Sequence, residues 1–103
     1  MAYPKTYAPV GYPVSAFLEL AVDIGSVAAN TALVVEVVAP RSFRYGSPVL
    51  IQLKLGETAL EAGISITLGQ VVSSTGKKIR FRVVNSTVGA VDPASKVFQF
   101  LQL

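Results

Sequence analysis

The chain has no cysteine, no histidine and no tryptophan. Without histidine it lacks the side chain that most often moves a proton near neutral pH. Without cysteine it has no disulfide, no thiolate nucleophile and no soft metal ligand, so its core must hold by packing alone. The missing cysteines do not fix a redox compartment, because such a chain works in either. Charge is also scarce: 15% of residues are charged against 51% apolar, with a net charge of +3. A small domain ordinarily carries charge on about a quarter to a third of its surface. The shortfall points to a surface partly covered by other subunits or by a larger host surface. The other reading is a tightly packed monomer under a skin of Ser, Thr and Gln.

Long apolar runs are absent as well. The longest, from Ala32 to Val38, is interrupted by Glu36, far short of the roughly 20 residues of a membrane-spanning helix. Pro4, Pro9 and Pro13 break the N-terminal region and no apolar segment follows Lys5, so it does not read as a signal peptide. At 103 residues the chain is one domain by length. A chain of this size buries roughly 65% of its unfolded surface, enough for one core.

The residues available for chemistry are few. With no histidine, a general base would have to be one of six acids, Glu19, Asp23, Glu36, Glu57, Glu61 or Asp92, or a lysine. Paired-carboxylate hydrolysis needs two acids converging on one bond. Glu57 and Glu61 lie close in sequence, but in a loop-like stretch without an aromatic platform. Glu19 and Asp23 share a strand face and read as solvated. Asp92, Asn85 and Ser86 lack the ligand spacing of a calcium loop, and no glycine-rich phosphate motif occurs. The expectation is a protein that is not an enzyme, with no cofactor and no metal.

Residues 1–16 form a distinct segment in which Tyr3, Tyr7 and Tyr12 alternate with proline and small residues. Proline fixes φ and disfavours helix before it, so the segment reads as an extended arm. Tyrosine is enriched at interfaces. Tyr3, Tyr7 and Tyr12 are therefore candidate partner-binding residues, with the arm lying on a neighbouring subunit or folded back on its own domain.

Residues 17–103 read as the folded domain. Apolar residues alternate in Phe17–Ile24, Leu33–Val38, Pro48–Leu55, Ile64–Val72, Lys78–Val84 and Ser95–Leu103, with turn residues between them. Gly69 inside the fourth run suggests a bulge or bend. Gly56–Gly63 is too short for a stable helix. Six short strands without an amphipathic helix predict an all-β fold, a small β-sandwich or jelly-roll-like domain. The most regular run places Ile79, Phe81 and Val83 inward and Lys78, Arg80 and Arg82 outward. Lys78, Arg80 and Arg82 are the second set of candidate partner-binding residues. Their stripe is a solvated or cross-strand-paired face, a dock for an acidic protein surface, or a phosphate contact. Nucleic acid is the least favoured of these, since Phe81 points inward and leaves no stacking platform.

Several turn-and-strand motifs bear a resemblance. They are Ser-x-Ala-Ala-Asn-Thr at Ser26–Thr31, Pro-Val-x-Ile at Pro48–Ile51, Leu-Glu-Ala-Gly-Ile at Leu60–Ile64, and Ser-Ser-Thr-Gly at Ser73–Gly76. Arg-Phe-Arg-Val-Val-Asn-Ser-Thr at Arg80–Thr87 and Val-Asp-Pro-Ala-Ser at Val91–Ser95 complete the set. Over roughly residues 22–103 the chain resembles the head decoration, or cement, proteins of tailed bacteriophages. It departs from their pattern after the second strand, where Val38-Ala39-Pro40-Arg41 and a longer loop replace a Val-Pro-Gly turn. The resemblance implies a β-sandwich or jelly-roll virion structural protein on the capsid surface, often a homotrimer. Its partners would be the major capsid protein and itself, without nucleic acid or membrane. The alternative is a receptor- or carbohydrate-binding β-sandwich module of a phage tail or fibre. The absence of tryptophan weighs against it, and Tyr45 is the one tyrosine outside the arm.

Overall fold

Alternating side chains and β-branched residues build seven strands in a computed structural model that describes residues 16–103. They are β1 (Ala16–Asp23), β2 (Thr31–Val38), β3 (Pro48–Leu53), β4 (Ile64–Ile66), β5 (Gly69–Ser74), β6 (Gly76–Asn85) and β7 (Ser95–Gln102). No helix occurs among the described residues. The arm residues Tyr3, Tyr7 and Tyr12 lie outside them. All strand pairs are antiparallel, in the order β1-β7-β3-β5-β6-β2, with β4 also on β6.

The sheet curls on itself into a half-barrel, compatible with a small β-sandwich as the sequence pattern predicts. Phe81 on β6 meets Phe98 and Phe100 on β7, with ring centroids 6.5 and 5.9 Å apart, although β6 and β7 are not neighbours in the sheet. Ile79, Phe81 and Val83 are buried, as alternation requires. β7 turns Lys96, Phe98, Phe100 and Gln102 inward. The two polar members of that row, Lys96 and Gln102, are buried with the aromatics.

The fourth predicted strand is two strands. Ile66 pairs with Val83 on β6, whereas Gln70 pairs with Arg80. Between these pairs β6 advances three residues and the bulged chain four. That extra residue is a β-bulge, which shifts the alternation by one. Ile64 faces the core before the bulge and Gly69 and Val71 after it. Leu68, which uninterrupted alternation over Ile64–Val72 would put on the face of Ile64 and Ile66, is instead 61% exposed. The Thr67 amide donates to Arg82 O, and the Thr67 hydroxyl oxygen accepts from Arg82 N, both at 3.0 Å. Gly69 suits this site because a Cβ there would stand 3.0 Å from Ile51 Cδ1 and 3.2 Å from Ile79 Cγ2.

Loops close the two ends of the half-barrel. At one end β1 starts, β7 finishes, and residues 39–47 link β2 to β3. At the other, residues 54–63 and 86–94 cover the core. There Asn85, fully buried, donates to Val27 O (3.0 Å) and Gly89 O (2.9 Å) and accepts from Thr87 N (2.9 Å). Its amide thereby ties the 86–94 loop to the Val27–Val91 bridge.

Candidate binding surface

The outward stripe of β6 is where alternation puts it, but its members differ. Arg80 faces Glu36 across the β2–β6 ladder, and its Nε and Nη2 both lie 2.7 Å from Glu36 Oε2. Cross-strand pairing thus takes up the middle cation. Lys78 faces Val38 on one side and Val72 on the other, and Arg82 faces Val34. The stripe is therefore two cations set among valines around one ion pair. It is less basic than the sequence suggests, and the outer face of β2 is otherwise Ala32, Val34 and Val38 around Glu36.

The outer face of β1, β7 and β3 carries a second pattern. Phe17 pairs with Leu101 and Leu101 with Leu50, so these side chains form one row across three strands. Phe17 is 51% exposed and Leu50 45%. The adjacent row is polar. Gln52 Nε2 donates to Gln99 Oε1 (2.9 Å) and Gln99 Nε2 to Glu19 Oε1 (3.2 Å), while Lys54 Nζ stands 3.2 Å from Glu19 Oε2. The hydrogen bond from Gln99, then that from Lys54, holds the Glu19 carboxyl below its ordinary value.

Loop 39–47 is fixed from beneath. The buried Gln102 amide accepts from Arg44 N (2.6 Å) and donates to Arg44 O (2.7 Å) and Ser47 O (3.0 Å). This side chain substitutes for one rung of a ladder. Arg44 Nη2 donates to Leu103 O at 2.5 Å. Lys77 Nζ donates to Arg41 O (3.1 Å) and lies 5.4 Å from the centre of the Tyr45 ring. Tyr45 is 56% exposed.

Of the carboxylates weighed for chemistry, Glu19, Glu36, Glu57 and Asp92 each have a partner of their own. Glu57 accepts from Val97 N and pins the 54–63 loop to β7. Asp92 accepts from Ala94 N at 2.9 Å within its own turn. Asn85 spends its amide on loop contacts. Among the described residues no three acids gather. The groove between Gly46–Pro48 and Leu68–Val71 has no titratable side chain on its walls.

Of the candidates drawn from sequence, Lys78, Arg80 and Arg82 do share one face, and Tyr3, Tyr7 and Tyr12 fall outside the described residues. Sequence reading missed the Phe17–Leu101–Leu50 row and the positioning of Arg41, Arg44 and Tyr45. The first depends on register between distant strands. The second depends on Lys77, which meets Arg41 and Tyr45, and on Gln102, which holds Arg44 and whose alternation with Phe98 and Phe100 was its one sequence signal. No protein-family model, no curated protein and no solved structure matches this chain.

Proposed function

We propose that this chain is a virion structural protein, a decoration or cement protein that binds the outside of a tailed-phage head and stabilises the shell. The observation that carries this reading is the uncovered apolar row Phe17–Leu101–Leu50, beside the point where the arm joins β1. A free surface gains nothing from such a row, whereas a subunit or shell contact removes it from water at about 25 cal/mol per Å². Tyr3, Tyr7 and Tyr12 would add amphipathic anchors from the arm, and the chain would act as a homotrimer. Symmetric copies engage several equivalent capsid sites at once, so avidity supplies the affinity. The partners are the major capsid protein and the chain itself.

The test is the solution mass of the full chain, followed by co-sedimentation with expanded heads stripped of their own decoration protein. A trimer that pellets saturably with heads is expected. A monomer that stays in the supernatant refutes the proposal. Exposed Tyr45 favours the second reading, a glycan- or receptor-binding module, for which saturable glycan-array binding lost in Tyr45→Ala is the expected signature.

A further inference from the structure

The charges of the half-barrel are sorted by end. Loop 39–47 carries Arg41 and Arg44, and the adjoining start of β6 carries Lys77 and Lys78. Neither segment contains an acid. Ala39 N donates to Lys77 O, and Lys77 Nζ reaches Arg41 O, so the two segments form one surface. The opposite end carries Asp23, Glu57, Glu61 and Asp92. Its two lysines are both accounted for: Lys54 is paired with Glu19, and Lys96 is buried.

Exposed apolar side chains collect at the same end as the cations. Val38 is 67% exposed and pairs with Lys78. Tyr45 sits beside Lys77, and the Phe17–Leu101–Leu50 row lies one register step from Ala16 and Gln102. The exposed apolar residues of the acidic end, Leu55 and Val88, are isolated on separate loops. Protein interfaces combine apolar contacts with polar and charged groups around them, and the sign of those charges selects the partner. Ala16, the first described residue, lies at this end as well, opposite Gln102.

We infer that the Ala16 end of the half-barrel, built from loop 39–47 and the start of β6, is the docking face and takes an acidic protein surface. The end bearing Asp23, Glu57, Glu61 and Asp92 faces away. This inference rests on the decoration reading for its natural partner, but the surface itself is defined by charge and exposure. It separates Arg41 and Lys78, which belong to the face, from Arg82, which does not.

Two double variants of the full chain test it, Arg41→Glu/Lys78→Glu at the docking face and Lys54→Glu/Arg82→Glu away from it. Each replaces two cations with two anions and takes the net charge from +3 to −1, so overall charge is matched. Thermal melts check folding. Binding is measured to expanded heads, to immobilised poly-L-glutamate and to a 24-base-pair DNA duplex. The docking-face pair is expected to weaken binding to heads and poly-L-glutamate at least thirtyfold, and the matched pair less than threefold. Equal losses in both pairs overturn the inference, and so does DNA binding tighter than poly-L-glutamate binding. If the wild-type chain ignores heads yet binds poly-L-glutamate through Arg41 and Lys78, the decoration reading falls and the docking face stands. If it binds neither, both fall.

Discussion

Asn85→Asp replaces one buried atom and tests whether the 86–94 loop hangs on a single carboxamide. The Asn85 amide nitrogen faces two carbonyls, Val27 O and Gly89 O, at 3.0 and 2.9 Å. An aspartate oxygen in that place has at most one proton for two acceptors. As a neutral acid it leaves one buried carbonyl unsatisfied, which costs about 1–3 kcal/mol. As an anion it faces two carbonyl dipoles without solvent. The amide of Thr87 and its hydroxyl, 2.6 Å away, can still donate to the other oxygen, which offsets part of that cost. Burial of this kind raises a carboxyl pKa by up to about 3–5 units, and about 2–3 is expected here once the Thr87 bonds are counted. With an unfolded-state value near 3.9, the variant loses roughly 1.4 kcal/mol relative to wild type for each pH unit above about 4. The loss levels off near pH 6–7 at a further ~3–4 kcal/mol. The extra penalty is absent below the unfolded pKa, grows through the window and is complete above the folded pKa. At about 4–8 °C per kcal/mol for a domain of this size, the two proteins should melt within roughly 20 °C of each other at pH 4 and much further apart at pH 7. Paired thermal and urea melts at pH 4, 5.5 and 7 measure it. A difference that does not change with pH refutes the hydrogen-bond assignment.

The remaining predictions use the same logic. Phe81→Ala should cost about 3–5 kcal/mol in urea melts, because the ring is shared by both halves of the core; a loss under 1 kcal/mol would mean that β6 and β7 do not pack face to face. Gly63→Ala should lower the melting temperature more than Gly56→Ala, since both sites have positive φ but only at Gly63 would the new Cβ stand 2.4 Å from Thr87 Cγ2; equal losses would refute that packing. Thr67→Val should cost about 1 kcal/mol by removing the acceptor for Arg82 N, read as faster hydrogen exchange at Arg82. Glu19→Gln should flatten part of the acid limb of the stability curve. The lowered carboxyl contributes stability above its ordinary value of 4.5, and that contribution is lost as pH falls through the folded value; an unchanged acid limb would count against the Gln99 and Lys54 contacts.

Most of the fold was legible because alternation is a local signal. The run from Lys78 to Val84 states its own inward and outward faces, and Ile79, Phe81 and Val83 are buried accordingly. Gly69 announced a bend, but not that an extra residue would turn Leu68 outward. Gln102 and Lys96 signalled burial only by sharing the register of Phe98 and Phe100, a weak sign because polar side chains at the two ends of an inward row look like strand ends. The binding surface was less legible still. The stripe on β6 was visible, whereas its neutralisation by Glu36 and the alignment of Phe17 with Leu50 depend on which strands are neighbours. Arg41, Arg44, Lys77 and Lys78 belong to one end only once β2 and β6 are paired.

The β3–β5 junction consists of just two residue pairs, Pro48 with Gln70 and Val49 with Gly69. The continuous sheet is therefore mechanically two leaves, β1-β7-β3 and β5-β6-β2, on a short spine. Ladder hydrogen bonds stiffen each leaf, while the core side chains between them, with Phe81 against Phe98 and Phe100 at 6.5 and 5.9 Å, hold them apart. Side-chain volume in that core, more than so short a ladder, is what keeps the two outer surfaces splayed.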